Sequence, residues 1–254
     1  GSDAASVKTT AIKQAGHYIL NGTKRFITNA PTADLFTVFA RTNAEEKGSR
    51  GVSAFLVDRN LPGIQLSSPY RKMGQQGAPV CDVIFDNVSV PEDKLVGGKE
   101  NVGFATAMKV LDKGRLHISA ISVGIAERLI EDATRYAVER RQFGQAIADF
   151  QLIQAMLADS QTDAYAAACM VDETARRRDT GENVAVLAAS CKLFATEMVG
   201  RVADRAVQIF GGAGYVEDDG IERFYRDVRL FRIYEGTSQI QQTVIAKDLI
   251  KRYR

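Results

Sequence analysis

The sequence predicts an α+β chain of two domains, a small antiparallel β-barrel or sandwich followed by an antiparallel four-helix bundle. Two observations carry this expectation. All five prolines, Pro31, Pro62, Pro69, Pro79 and Pro91, lie in the first 91 of 254 residues. Proline lacks a backbone donor and clashes with the preceding helical turn, so long helices are expected only beyond Pro91. Apolar residues also change period along the chain, from short runs before Gly97-Gly98 to helical spacing after it. The glycine pair is therefore taken as the linker, giving domains 1–98 and 99–254.

Within the first domain, Asn21-Gly22 reads as a hairpin turn between strands at 17–20 and 23–28. Strands over 35–41 and 52–57 follow, joined by a polar loop with Glu45, Glu46, Lys47 and Gly48. Runs at 80–85 and 88–90 flank Asp86-Asn87, read as a further turn. In the second domain, Phe104, Met108, Leu111, Ile118, Ile121, Ile125 and Leu129 stripe a helix running to about Arg141. Ile153, Met156, Leu157, Tyr165 and Cys169 stripe a second, which ends in Arg176-Arg177-Arg178-Asp179. Val184, Leu187, Cys191, Phe194, Met198 and Val202 stripe a third, and residues 244–253 close a fourth. The large apolar residues on these stripes are expected in the core.

The composition narrows the function classes. Apolar residues at 45% and charged residues at 25% describe an ordinary globular chain. A net charge of +2 gives no basis for binding nucleic acid or an acidic membrane surface. Cys81, Cys169 and Cys191 form neither a metal pair nor a disulfide framework, which points to a reducing, intracellular setting. No apolar run reaches the roughly 18 residues of a membrane span, and no signal peptide opens the chain. Gly1-Ser2 reads as a cloning scar or as a start inside a longer protein. His17 and His117 stand alone, so no metal site is expected.

The chemistry concentrates near the C-terminal end. Glu235 is followed by Gly236, whose backbone allows close approach to a ligand, and by Thr237 and Ser238, which can cap the next helix. A helix start favours an anion, so the stretch reads as a base beside a phosphate-bearing ligand or, alternatively, as a plain capping loop. Arg140-Arg141-Gln142-Phe143-Gly144 is open in the same way, to a bidentate diphosphate clamp or a basic helix end. Gly211-Gly212-Ala213-Gly214 follows a helix rather than a strand and lacks a following Lys-Ser or Lys-Thr, so a helix C-cap is the better reading.

Taken together and in order, these stretches resemble the acyl-CoA dehydrogenase family. The resemblance spans the whole chain and includes Asn21-Gly22-Thr23-Lys24-Arg25-Phe26-Ile27-Thr28-Asn29-Ala30 and Asp86-Asn87-Val88-Ser89-Val90-Pro91. It continues through Arg140 to Gly144, through Gln208-Ile209-Phe210-Gly211-Gly212-Ala213-Gly214-Tyr215, and through Tyr234-Glu235-Gly236-Thr237. It implies an FAD oxidoreductase acting on CH–CH donors, which converts an acyl-CoA thioester to a trans-2-enoyl-CoA. By the resemblance, Glu235 abstracts the α-proton while hydride leaves for flavin N5, and the backbone N–H of Glu235 polarises the thioester carbonyl. Phe26, Ile27 and Thr28 would line the flavin. Arg140, Phe143, Gln151, Gln208, Ile209, Phe210, Gly211, Gly212, Thr237, Ser238 and Gln239 would hold the rest of FAD, some from a neighbouring subunit. Ser2, Asp112, Lys113, Gly114, Arg115 and Gly236 would lie along the CoA thioester.

The resemblance further implies electron-transferring flavoprotein as acceptor, a homodimer or homotetramer, and a role in fatty acid β-oxidation in a bacterial cytoplasm or mitochondrial matrix. Three departures stand out. The family's N-terminal helical domain has no counterpart here, which suggests a fragment; Phe26 stands where Trp is more usual; and Gly114 occupies a position where some members carry their acid. The alternatives are an oxygen-using relative (an acyl-CoA oxidase or flavin monooxygenase) or a non-catalytic binding protein on the same fold.

Overall fold

The computed structural model describes residues 1–46 and 48–254; Lys47, read above as part of a polar loop, lies outside the described residues. The chain divides into two compact units, Gly1–Val110 and Leu111–Arg254.

The first unit is a six-stranded sheet built from β1 (Thr10–Gln14), β2 (His17–Thr28), β3 (Leu35–Arg41), β4 (Val52–Asp58), β5 (Ile64–Leu66) and β6 (Val80–Pro91). The strand order is β4-β3-β1-β2-β6-β5. Every pairing is antiparallel except β1 with β3, which run parallel and meet at Thr10 and Arg41. The sheet is thus mixed, because β1 pairs locally with β2 and leaves its other edge to β3. Alternate residues face one core, in which Tyr18, Leu20, Val38, Phe55, Val83 and Val88 are buried, as a period of two requires. The Tyr18 and Phe55 rings lie 4.9 Å apart. The Tyr18 hydroxyl donates to Glu100 at 2.6 Å, and burial followed by that carboxylate pushes its pKa well up.

Both expected turns are bulges instead. Asn21-Gly22 lies inside the 12-residue β2, and Asp86-Asn87 inside the 12-residue β6. The two face each other: the register runs Leu20 opposite Val88, then Gly22 opposite Phe85, so Asn21 opposes two residues of β6. The Asn21 side chain bridges the defect, its Oδ1 accepting from the Asn87 N–H at 2.8 Å. The bulge also resets the alternation in β6, from buried Cys81, Val83 and Phe85 to buried Val88 and Val90. The true hairpin turn joins β1 to β2 at Ala15-Gly16, where both residues have positive φ, 44° and 82°.

The second unit is helical. The helix α1 (Gly103–Glu139) begins before the boundary between units and is followed by a small hairpin, β7 (Arg141–Gln142) and β8 (Gln145–Ala146). Then come α2 (Gln151–Asp179), α3 (Ala185–Phe210), the short α4 (Ile221–Val228) and α5 (Ser238–Lys251). The four long helices stand where their stripes were read, and α4 makes a fifth. The helix α3 packs against α2, α4 and α5.

The buried faces differ from the expected stripes. Ile121, Tyr165 and Cys169 are exposed, while Ala126, Ala133, Ala164, Ala167, Ala195 and Ala203 are buried. Small side chains let helix axes approach closely, so the interior faces carry alanine and serine and several large residues point outward. Among the described residues no helix is long and apolar enough to cross a membrane.

A Cβ at Gly22 would lie 2.9 Å from the Thr9 Cα, at a φ of 139°. Gly22→Ala is therefore expected to destabilise the protein by about 2 kcal/mol. Gly16→Asn, at a φ of 82° with no atom within 4 Å of the added Cβ, should cost less than about 1 kcal/mol. Urea midpoints measured on both variants check the pair; equal losses would contradict the bulge geometry.

Candidate active site

The stretch from Arg229 to Gln241 turns sharply at two residues. A 3-10 turn at Arg229–Arg232 ends near Tyr234, whose ring stacks on Phe231 with centroids 5.7 Å apart. Glu235 then takes a φ of 54° and Gly236 a φ of 86°. Left-handed backbone is costly for a glutamate, and such strain persists only where surrounding contacts enforce it. Glycine relieves the cost at 236, but a Cβ there would also meet the Gln241 Nε2 at 2.6 Å. Thr237 caps α5 as expected, its hydroxyl accepting from the Ile240 N–H at 3.2 Å.

The turn presents the Glu235 carboxylate to Gly114 on α1. A Cβ on Gly114 would collide with Glu235 Oε2 and lie 2.9 Å from its Cδ. The carboxylate occupies the space a side chain at 114 would take, so a larger residue there must displace it. Beside it, the buried Arg115 guanidinium bonds Asp112 at 2.8 Å. Among the described residues the Glu235 N–H meets no acceptor, which leaves it available as a donor.

Beneath the turn lies a buried polar floor. Gln241, fully buried, donates from Nε2 to the Glu235 carbonyl at 3.1 Å and the Gly236 carbonyl at 3.0 Å. Lys192 of α3, also fully buried, donates to the same Gly236 carbonyl at 2.8 Å. Burial pushes the Lys192 pKa down to about 8; Glu197 and Glu235 oppose that drop and Arg115 adds to it. Glu197 accepts from the Ser238 hydroxyl at 2.6 Å and from Arg232 at 3.3 Å. Burial, and then the Glu235 charge, push Tyr234 up to about 12.

Of the other predicted site residues, Phe26 lies at a second bulge in β2 with a φ of 58° and is 60% exposed. Its ring packs on Tyr70 at 5.1 Å under the Arg25 guanidinium at 4.7 Å. Ile27 and Thr28 follow it and line, with Lys24 and Phe36, a cavity of about 220 Å³. In the helical unit, Phe143 and Gly144 form the β7–β8 turn with positive φ, which leaves the Phe143 ring 94% exposed near exposed Arg140 and Gln151. Gln208, Gly211, Gly212 and Gln239 are exposed. Ile209 and Phe210 are core residues, Phe210 stacking on Tyr136 at 4.1 Å, so only their main chain is free for a ligand. The Ser238 hydroxyl is committed to Glu197 rather than to a cap. Lys113 is exposed on α1, and Ser2 is exposed at the start of the sheet unit.

Lys192, Glu197 and Gln241 went unread in the sequence. The available signal was a lysine set directly beside Cys191 in an otherwise apolar helical stretch, which is uncommon for an exposed face.

Comparison with known proteins gives the family. The family model described as acyl-CoA dehydrogenase, middle domain, matches residues 1–88, and that described as acyl-CoA dehydrogenase, C-terminal domain, matches residues 101–250. The chain is 46% identical over 250 residues to an acyl-CoA dehydrogenase of Bacillus subtilis, covering 98% of this chain and 65% of that protein. It is 44% identical over 252 residues to the caffeyl-CoA reductase-Etf complex subunit CarC of Acetobacterium woodii, covering 99% and 66%. The structure of butyryl-CoA dehydrogenase from Megasphaera elsdenii matches with a TM-score of 0.95 at 38% identity, over 98% of this chain and 65% of that one. The chain therefore spans just under two thirds of the length of these relatives. Both halves of this sequence, the mixed sheet and the helical unit whose turn carries Glu235, belong to the acyl-CoA dehydrogenase family.

Proposed function

We propose that the protein oxidises the Cα–Cβ bond of an acyl-CoA thioester with FAD, Glu235 being the base that takes the α-proton. The observation that carries this reading is the Glu235 carboxylate held against Gly114 by a strained, left-handed turn. The donors on the chain fit the cofactor. Thr237 caps a 14-residue helix whose start favours a diphosphate, and the exposed Arg140 guanidinium suits the same group. Gly211 and Gly212 offer bare main chain with no atom within 4 Å of an added Cβ, beside Gln208, while Phe143, Gln151 and Gln239 offer exposed contacts for the adenosine end. Phe26 offers an exposed aromatic face to a flavin ring, with Ile27 and Thr28 next to it. When bound, FAD supplies the acceptor for the hydride that leaves Cβ.

The chain's own groups do the rest. A thioester α-proton is weakly acidic, so charge developing on the carbonyl oxygen must meet a fixed donor, and the Glu235 N–H is that donor. Asp112, Lys113, Arg115, Gly236 and Ser2 are the residues proposed to lie along the thioester and its CoA arm. Glu235 takes the α-proton from Cα, leaving the electron pair to form the new double bond. The relative named as a caffeyl-CoA reductase subunit favours a second reading of the same site, reduction of an enoyl-CoA, with Glu235 returning the proton. That relative is a subunit of a reductase-Etf complex, which supports electron-transferring flavoprotein as the electron partner. A homodimer or homotetramer, domains dividing near the Gly97-Gly98 pair, and a place in fatty acid β-oxidation complete the proposal.

The test is the visible spectrum of the flavin-loaded protein before and after anaerobic addition of acyl-CoAs of different chain length. Bleaching of the flavin band supports oxidation, recovery of a reduced sample by an enoyl-CoA supports reduction, and no response to any thioester refutes both. Glu235→Gln should lower the rate by about 1,000-fold while leaving flavin bound; retention of more than about a few per cent of the rate would remove Glu235 as the base. Gly114→Ala should keep or raise thermal stability, because alanine gains about 1 kcal/mol over glycine in a helix. It should nevertheless lower kcat about 10-fold by displacing the carboxylate. A full rate in the Gly114→Ala variant would contradict the contact.

A further inference from the structure

We propose that Lys192 is a positioning residue for the Glu235 base: its buried ammonium ties the Gly236 carbonyl to α3 and so holds the turn that faces Glu235 to Gly114. The inference rests on the reading of Glu235 as the base. Lysine is almost never fully buried unless something holds it, yet Lys192 has no exposed surface. Its neighbours along α3, Ala188, Ala189, Cys191, Ala195 and Met198, are apolar and buried, so methionine would fill the same volume without desolvating a charge.

Among the described residues the Lys192 ammonium donates to a neutral carbonyl, that of Gly236, at 2.8 Å. Four elements surround this contact. Glu197 stands on α3 itself and is engaged by Ser238 and Arg232. Glu235 comes from the turn, Arg115 from α1, and Gln241 of α5 shares the carbonyl. The nearby carboxylates favour the ammonium without taking its proton donors, and Arg115 opposes it. A charged donor makes a shorter and stronger bond than a neutral one, so the turn is held best while Lys192 is protonated. With its pKa lowered to about 8 by burial, the lysine loses that charge as pH rises through about 8 rather than at its ordinary 10.5. The clamp is therefore complete below this range and weakens above it.

Amide hydrogen exchange of Ile240 and Gln241, whose N–H groups bond Thr237 where the turn enters α5, with and without flavin, and steady-state rates of the holoenzyme test the assignment. Lys192→Met should raise exchange at these amides by about 10- to 100-fold, the equivalent of one lost charge-assisted hydrogen bond. It should lower kcat by a similar factor with KM changed by less than about 3-fold. Lys192→Arg keeps the charge and should restore most of the protection, and hold it as pH rises past about 8. Unchanged exchange in Lys192→Met, or a loss confined to KM, overturns the proposal. Should Lys192→Met fail to fold, the wild-type protein decides: exchange at these amides, corrected for its intrinsic pH dependence, should rise between about pH 7 and 9. A flat profile overturns the proposal. The exchange arm needs no substrate. A protected, Lys192-dependent turn in a protein inert to every thioester would refute the assignment of Glu235 as base while upholding the clamp.

Discussion

The Glu235 and Gly236 carbonyls are turned toward the interior because the backbone at both residues is left-handed, and a buried carbonyl without a partner costs about as much as a lost hydrogen bond. Gln241 bonds both, and Lys192 bonds the second. Those donors come from α5 and α3, so the shape of the turn depends on how the two helices pack. Glu197 extends the same network, joining the start of α5 through Ser238 to the preceding turn through Arg232. A buried network of this kind rigidifies as its members are satisfied; here Lys192 Nζ and Gln241 Nε2 are bonded, while Gln241 Oε1 and Arg232 Nε meet no partner among the described residues.

The same backbone device recurs elsewhere. Among the described residues, apart from Asn, Ala and Gln, the non-glycine positions with positive φ are Phe26, Phe143 and Glu235, all three singled out as site residues from the sequence. Each projects its side chain from a sharp local reversal: a strand bulge at Phe26, a two-residue hairpin at Phe143 and a helix approach at Glu235. Bulky residues in this conformation pay a backbone penalty that packing alone does not explain for an exposed ring. All three lie in stretches proposed above to contact FAD or substrate.

The size of the residues on each helix face follows a related logic. Close packing around α3 requires alanine and serine on the interior faces, which frees large residues such as Ile121 and Tyr165 for the outside. Gly114 is the limiting case, a position on α1 where even a methyl group collides with the Glu235 carboxylate. Steric exclusion then falls on the residue that faces the proposed base, and the helix accepts a poor helix former in return for room.

By itself the sequence determined the division into a sheet-rich and a helical half, the positions of the long helices, and the Glu235-Gly236-Thr237 segment with its capping threonine. These depend on local properties: proline exclusion, periodicity and capping are legible over a few residues. Tertiary structure decided the rest. An Asn-Gly pair favours left-handed backbone, but whether it makes a turn or a bulge depends on the partner strand, and β6 runs the full length of β2. Which helical face is buried depends on the neighbouring helices, so stripes of large residues misled at Ile121, Tyr165 and Cys169. Lys192 and Gln241 look like ordinary helix residues in sequence. Only the packing of α3 and α5 brings their donors to the carbonyls of a strained turn, where burial makes those bonds necessary.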